Sequence, residues 1–265
     1  MKTIESDYDF SEMHQRMQFY IDQNILSCCA TAVFKGTDLV DHQTFGYMDL
    51  ETRQPLRDDG IYRMASNTKI VTSVALMMLQ EAGLFDLDDP LAKFMPEFSD
   101  MQVLQPNASA AADVSPAENL ISVRHLLSHS AGLSYGFVEP DSVIDQAYLN
   151  NGVNGLGEQE IDLEELCLRI AKLPLAFEPG TSWRYSFATD VCARLVEVLS
   201  GLSFDVFLRQ RIFEPLGMVD TDFWVPEEKA HRLITMYSPQ DLFDPMKPGL
   251  NLSLIHISEP TRPTP

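Results

Sequence analysis

The sequence is poor in positive charge. Lysine and arginine number 19 against 39 aspartates and glutamates, a formal net charge of −20. That balance repels phosphate backbones and anionic lipid, so neither nucleic-acid nor membrane-surface binding is expected. It reads instead as a device for solubility. Cysteine is scarce as well: four in 265 residues are too few for a disulfide scaffold. Cys28 and Cys29 are adjacent, and adjacent side chains of a strand point to opposite faces. They read as reduced thiols of a cytoplasmic protein. No apolar run approaches the roughly eighteen residues of a membrane span, and residues 1–9 contain no apolar core of signal-peptide length. Repeats and obvious linkers are missing too. The remaining composition, 45% hydrophobic and 22% charged, is ordinary for a folded chain. Its length suits one large domain or two small ones.

Residues 10–24 have helical spacing, with Met13, Met17, Phe19 and Tyr20 near one face and Ser11 as the expected N-cap. Residues 28–34 and 39–47, joined by Lys35-Gly36-Thr37-Asp38, predict a β-hairpin. Residues 49–60 are polar and read as loop. Residues 66–82 give the strongest helix, apolar over most of its surface and stopped at Gly83, hence expected to be buried all round. Residues 86–98 read mostly as loop and 105–119 as an exposed connection. Short helices are expected over 123–128 and 163–172, with a loop over 141–157. The turn Glu178-Pro179-Gly180-Thr181 leads to an amphipathic helix at 187–199, closed by Gly201. Ser203 is the expected cap of a last helix reaching Ile212.

Ser66-Asn67-Thr68-Lys69 opens the apolar helix. Residues three apart share a helix face, so Lys69 lies beside the Ser66 hydroxyl. The helix dipole favours a developing alkoxide at its N-terminus. A lysine among apolar neighbours is expected to lose its proton more easily and to act as a base. The bland alternative is a serine cap followed by a solvated lysine. The apolar surroundings favour the chemical reading, because burying an isolated lysine is costly.

His125 and His129 are four apart, a spacing that metal ligands use. No third ligand stands at useful spacing, so no metal site is expected. Trp183 and Arg184 read equally well as pocket lining or ordinary packing. Asp190 and Glu197 read as a solvated helix face.

Several stretches together carry a family resemblance. Ile61-Tyr62-Arg63-Met64-Ala65-Ser66-Asn67-Thr68-Lys69 resembles the nucleophile segment of the serine β-lactamase-like superfamily, which includes class C β-lactamases, DD-peptidases and family VIII carboxylesterases. Gly46-Tyr47-Met48-Asp49 with Pro55-Leu56 is similar to the strand exit before that segment, and Leu87-Asp88-Asp89-Pro90 to the loop after its helix. Val123-Arg124-His125-Leu126-Leu127-Ser128-His129-Ser130-Ala131-Gly132-Leu133 resembles the most recognisable stretch of the superfamily. Phe177-Glu178-Pro179-Gly180-Thr181 and Ile212-Phe213-Glu214-Pro215-Leu216-Gly217-Met218 also match, in family order.

The resemblance implies an α/β (α+β) fold of the β-lactamase/transpeptidase type, an antiparallel sheet flanked by helices with a helical domain. It implies catalytic Ser66, Lys69 and Tyr185, the last from Trp183-Arg184-Tyr185-Ser186-Phe187. It also implies that Ser66 becomes acylated by a small-molecule ester or amide, with no metal and no organic cofactor. Phe187 stands where class C lactamases have asparagine and cannot hydrogen-bond a lactam side chain. A carboxylesterase on small acyl esters is therefore expected first. The alternatives are a β-lactamase or DD-peptidase, an acyltransferase, and a non-catalytic binding module.

Leu252-Ser253-Leu254-Ile255-His256-Ile257-Ser258-Glu259-Pro260-Thr261-Arg262 looks like a translated sequencing-library adaptor, so residues 252–265 are read as a non-native tail. Residues 1–251 then form a C-terminally shortened hydrolase domain. Residues 1–60 hold its first helix and hairpin, and 61–251 the nucleophile helix and helical region. By the resemblance, the remaining strands and a third motif would follow. That motif supplies the second oxyanion donor, and losing one such donor costs about 10²–10³-fold in rate. The fragment alone is thus expected to be inactive and poorly soluble or partly unfolded.

Overall fold

The computed structural model describes residues 3, 7–153, 161–241 and 244–252. The chain forms two compact units, one of Met1–Arg63 with Asp222–Pro265 and one of Met64–Thr221. The helical region expected over 61–251 is therefore shorter: from Asp222 the chain rejoins the unit that holds the hairpin. A short parallel bridge between Ile61 and Leu233 helps to return it.

In the first unit, α1 spans Ser11–Asp22. Ser11 is not its cap but its first residue; the Asp9 carboxylate two positions earlier accepts the Ser11 N–H at 2.9 Å. β1 (Cys28–Lys35) and β2 (Asp38–Asp49) form the expected hairpin, pairing Cys28 with Gly46 and Lys35 with Asp38. β3 (Gln54–Pro55) joins the other side of β2. Gly46 is required: its φ is +77°, and a Cβ there would run into the Ser27 carbonyl. Met48, Leu56 and Ile234 form a small apolar cluster. β6 (Tyr237–Pro239) and β7 (Leu250–Leu252) make a further antiparallel pair. Leu252 closes β7, and the rest of the adaptor-like stretch lies outside the described residues.

The second unit holds the larger core. α2 (Thr68–Glu81) buries Thr72, Ala75, Leu76 and Leu79. It packs on α6 (Ala188–Ser200), which buries Val191, Cys192, Leu195 and Val196 and ends at Gly201 with φ 70°. Contrary to expectation α2 is not buried all round, since Ile70 and Val74 are exposed. β4 (Gln102–Leu104) pairs with β5 (Val114–Pro116), which lies within the stretch read as an exposed connection.

α3 (Val123–Leu127) is capped reciprocally: Ser122 accepts the His125 N–H, and the His125 ring accepts the Ser122 N–H. The expected loop over 141–157 contains α4 (Val143–Asn150), capped by Ser142 and anchored by Ile144, Ala147 and Tyr148. Its glycines and asparagines concealed those anchors; residues 154–157 of that stretch lie outside the described residues. α5 (Leu163–Ile170) follows, capped by Asp162. The helix begun at Ser203 is shorter than expected: α7 (Phe204–Leu208) passes into a π turn at Arg209–Phe213. Among the described residues no helix is long and apolar enough to cross a membrane.

Candidate active site

A 3-10 turn, Ala65–Asn67, runs directly into α2. Ala65 holds a left-handed φ of 42°, a conformation that costs of order 1–3 kcal/mol outside glycine and collects at functional sites. It delivers Ser66, exposed, to the positive end of the helix. Lys69 follows one turn later, its Nζ 3.4 Å from Ser66 Oγ. Tyr185, 119 positions away in sequence, places its hydroxyl 2.9 Å from the same Oγ. The three residues expected from the sequence thus meet at one point.

Lys69 Nζ also lies 4.9 Å from the Tyr185 ring centroid and 5.5 Å from that of Tyr135, within the range of cation–π attraction. Burial pushes the Tyr185 phenol up, but hydrogen bonds with Lys69 and Ser66 and the Lys69 charge outweigh it. Its pKa lies below the ordinary phenol value. A lowered phenol within hydrogen-bond reach of a serine hydroxyl is suited to accept its proton.

Tyr185 is held by its neighbours in sequence. The Arg184 N–H donates to the His129 carbonyl at 3.0 Å, and the Gly180 N–H to the Ser130 carbonyl at 2.8 Å. The Arg184 side chain turns inward. It donates to Ser134 Oγ at 2.7 Å, to Glu139 at 2.7 Å and to the fully buried Asp145 at 3.0 Å. Burial pushes the Asp145 carboxyl up, but hydrogen bonds from Ser134, the Glu139 N–H and Arg184 overcome this and leave it below its usual value.

Aromatic rings continue the support. Tyr148 in the core stacks with Phe187, Phe187 with Tyr135 at 4.3 Å, and Tyr135 with Tyr185 at 5.3 Å. His129 closes the series, its ring 5.2 Å from Tyr185 and 6.2 Å from Trp183. His129 Nδ1 and Ser186 Oγ lie 3.2 Å apart. Burial and the nearby Lys69 charge hold the imidazole pKa below its usual value.

The two histidines therefore do different things: His125 caps α3 and His129 packs on the tyrosine. Among the described residues no group of three or more His, Cys, Asp or Glu side chains is placed to hold a metal ion. Asp190 is a correction. It is half-buried rather than solvated, because the first turn of α6 faces the site. Burial pushes its carboxyl up to about 6, although the Lys69 charge opposes the shift. Tyr135 is a residue of the site that sequence reasoning missed and Asp190 one that it misread, while His129, weighed there as a metal ligand, packs on Tyr185. For Asp190, the signal was its position five residues after Tyr185, at the start of the helix that packs on α2.

The chain matches the Beta-lactamase family model over residues 15–254. Esterase EstB of Burkholderia gladioli is 31% identical over 220 residues, which is 81% of this chain and 53% of that protein. Lovastatin esterase of Penicillium rubens is 33% identical over 192 residues, 71% of this chain and 46% of that protein. The solved structure of EstCE1, described as a hydrolase with promiscuous acyltransferase activity, superposes with a TM-score of 0.75 at 26% identity, covering 90% of this chain and 57% of that one. The chain spans about half the length of the curated relatives it matches. A family model matched across most of the sequence, and relatives above 30% identity over more than two thirds of it, lead to one assignment: the chain belongs to the beta-lactamase family.

Proposed function

We propose that Ser66 is the nucleophile of a serine hydrolase that acts on carboxylic esters through an acyl-enzyme. The observation that carries this reading is the convergence of Tyr185 OH, 2.9 Å away, and Lys69 Nζ, 3.4 Å away, on one exposed serine Oγ. The Tyr185 phenolate, held by the positive charge of Lys69, takes the Ser66 proton and becomes a neutral phenol as Oγ attacks the carbonyl carbon, and the negative charge passes to the carbonyl oxygen. The Ser66 backbone N–H, in the 3-10 turn that leads into α2, is the oxyanion donor in this reading. Collapse of the tetrahedral intermediate expels the alcohol, which takes the proton back from Tyr185. Water, activated by the same tyrosine, then releases the acid.

Two of the relatives are named as esterases, which supports ester substrates first. Penicillin recognition is the second reading, supported by the family model; Phe187 at the third position of the tyrosine motif weighs against it. Because the chain covers about half of its relatives, turnover is proposed for the whole protein.

Covalent labelling tests the assignment. A fluorophosphonate is expected to modify the protein at Ser66, and Ser66→Ala to abolish the label. Labelling that survives Ser66→Ala would refute the nucleophile. Preference for a fluorescent penicillin over the fluorophosphonate would favour the second reading.

A further inference from the structure

We propose that Trp183 forms an aromatic wall beside Ser66 that receives a planar apolar group of the ester, so that arene-bearing esters are favoured over small aliphatic ones. The inference rests on the reading of Ser66 as the nucleophile.

Residues 183–186 make no helical turn, and their side chains alternate in direction. Arg184 is turned into the protein, fixed by Ser134, Glu139 and Asp145. Its two neighbours, Trp183 and Tyr185, both reach the ring of His129. His129 is itself held: its φ is +54°, and its carbonyl accepts the Arg184 N–H. The chain of contact is therefore short. The indole meets the imidazole edge to face at 6.2 Å, the imidazole meets the phenol ring at 5.2 Å, and the phenol oxygen is 2.9 Å from the nucleophile.

Despite these anchors Trp183 is 65% exposed. Its backbone neighbour and its ring partner both fix it, so an aromatic surface is displayed one ring away from the reacting tyrosine. Tryptophan offers a large rigid face with only two side-chain torsions to immobilise. Aromatic groups settle on such a face offset or edge-on, and the water covering it is released. An ethyl or acetyl group is too small to cover an indole. A fused ring system on either side of the ester bond can cover it.

The test uses the whole protein, for which turnover is proposed, and compares kcat/KM of wild type, Trp183→Ala and Trp183→Phe on three esters: ethyl acetate, 2-naphthyl acetate and ethyl 2-naphthoate. Taking the wild-type to variant ratio for each ester cancels its intrinsic reactivity. Trp183→Ala is expected to lose about ten- to a hundred-fold more on a naphthyl ester than on ethyl acetate, and Trp183→Phe to recover much of that difference. Selective loss on 2-naphthyl acetate places the wall on the alcohol side, and on ethyl 2-naphthoate on the acyl side. Equal ratios on all three esters, whether large or near one, would overturn the wall. Ser66→Ala separates the two failures. Turnover that survives it, or no turnover of any ester, removes the nucleophile and the wall together. Ser66-dependent turnover with equal ratios removes the wall alone.

Discussion

At the scale of the residue, the site depends on how three polar groups are poised against each other. Tyr185→Phe keeps the ring that stacks on Tyr135 and removes only the oxygen beside Ser66. It is expected to lower kcat about 10²–10⁴-fold, the range for a general base, while leaving the melting temperature within a few degrees of wild type. Near-normal turnover would take the proton-transfer role away from Tyr185.

Asp190 makes the opposite kind of prediction, one of stability. Its folded-state pKa of about 6 lies above the ordinary carboxyl value of 3.8. A group raised in this way stabilises the folded state below the lower value, and that contribution is lost as pH rises through the upper one. At pH 8 the buried carboxylate then costs up to about 3 kcal/mol, at 1.36 kcal/mol per pH unit. Asp190→Asn is expected to melt higher than wild type at pH 8 and to lose that advantage near pH 4. An advantage that does not change with pH would show that Asp190 keeps its ordinary titration.

Ser66 and Lys69 were legible in the sequence because their relation is local, set by the pitch of one helix. Tyr185 was legible only through resemblance, since nothing near it announces its role. Asp190 was misread because its burial depends on α6 packing against α2, a contact that its own stretch does not encode.

At the scale of the element, the Arg184–Asp145 pair ties α4 to the run that carries Tyr185. Both ends are desolvated: the Asp145 side chain is fully buried and that of Arg184 only 12% exposed. Breaking a buried pair by removing one partner typically costs about 3–5 kcal/mol, because the other charge remains buried. Asp145→Ala is therefore expected to destabilise by that amount in a denaturant melt. Glu139 also binds Arg184, but its side chain is 64% exposed, and Glu139→Ala is expected to cost under about 1 kcal/mol. Equal effects of the two substitutions would mean that water reaches the pair. This element also shows where composition misleads. The stretch 141–157 looked like loop because glycines and asparagines dominate its second half. The decisive signals were local: a serine cap at 142 and apolar residues at 144, 147 and 148, spaced for one helix face. The hairpin, by contrast, was legible throughout, since its turn and its alternating strands are both short-range features.

At the scale of the molecule, the two compact units differ in what holds them. The unit Met64–Thr221 is built on one continuous core, in which Ala75, Leu76, Leu126, Leu175 and Leu195 are fully buried. The other unit has a three-stranded sheet whose third strand is two residues long, a separate short pair, and the cluster of Met48, Leu56 and Ile234. A small sheet with few apolar contacts sits at the low end of local stability, where backbone amides exchange through opening well below the global unfolding free energy. Amide hydrogens of α6 are therefore expected to exchange more slowly than those of β1 and β2 by at least ten-fold, the factor that corresponds to about 1.4 kcal/mol of opening free energy. Leu76→Ala supplies the complementary perturbation. It opens a cavity in the larger core, should cost about 2–5 kcal/mol, and is expected to accelerate exchange in α6 much more than in the hairpin. Equal acceleration in both would mean that the two units unfold in a single step, and the site on α2 and α6 would then share the stability of the hairpin rather than that of its own core.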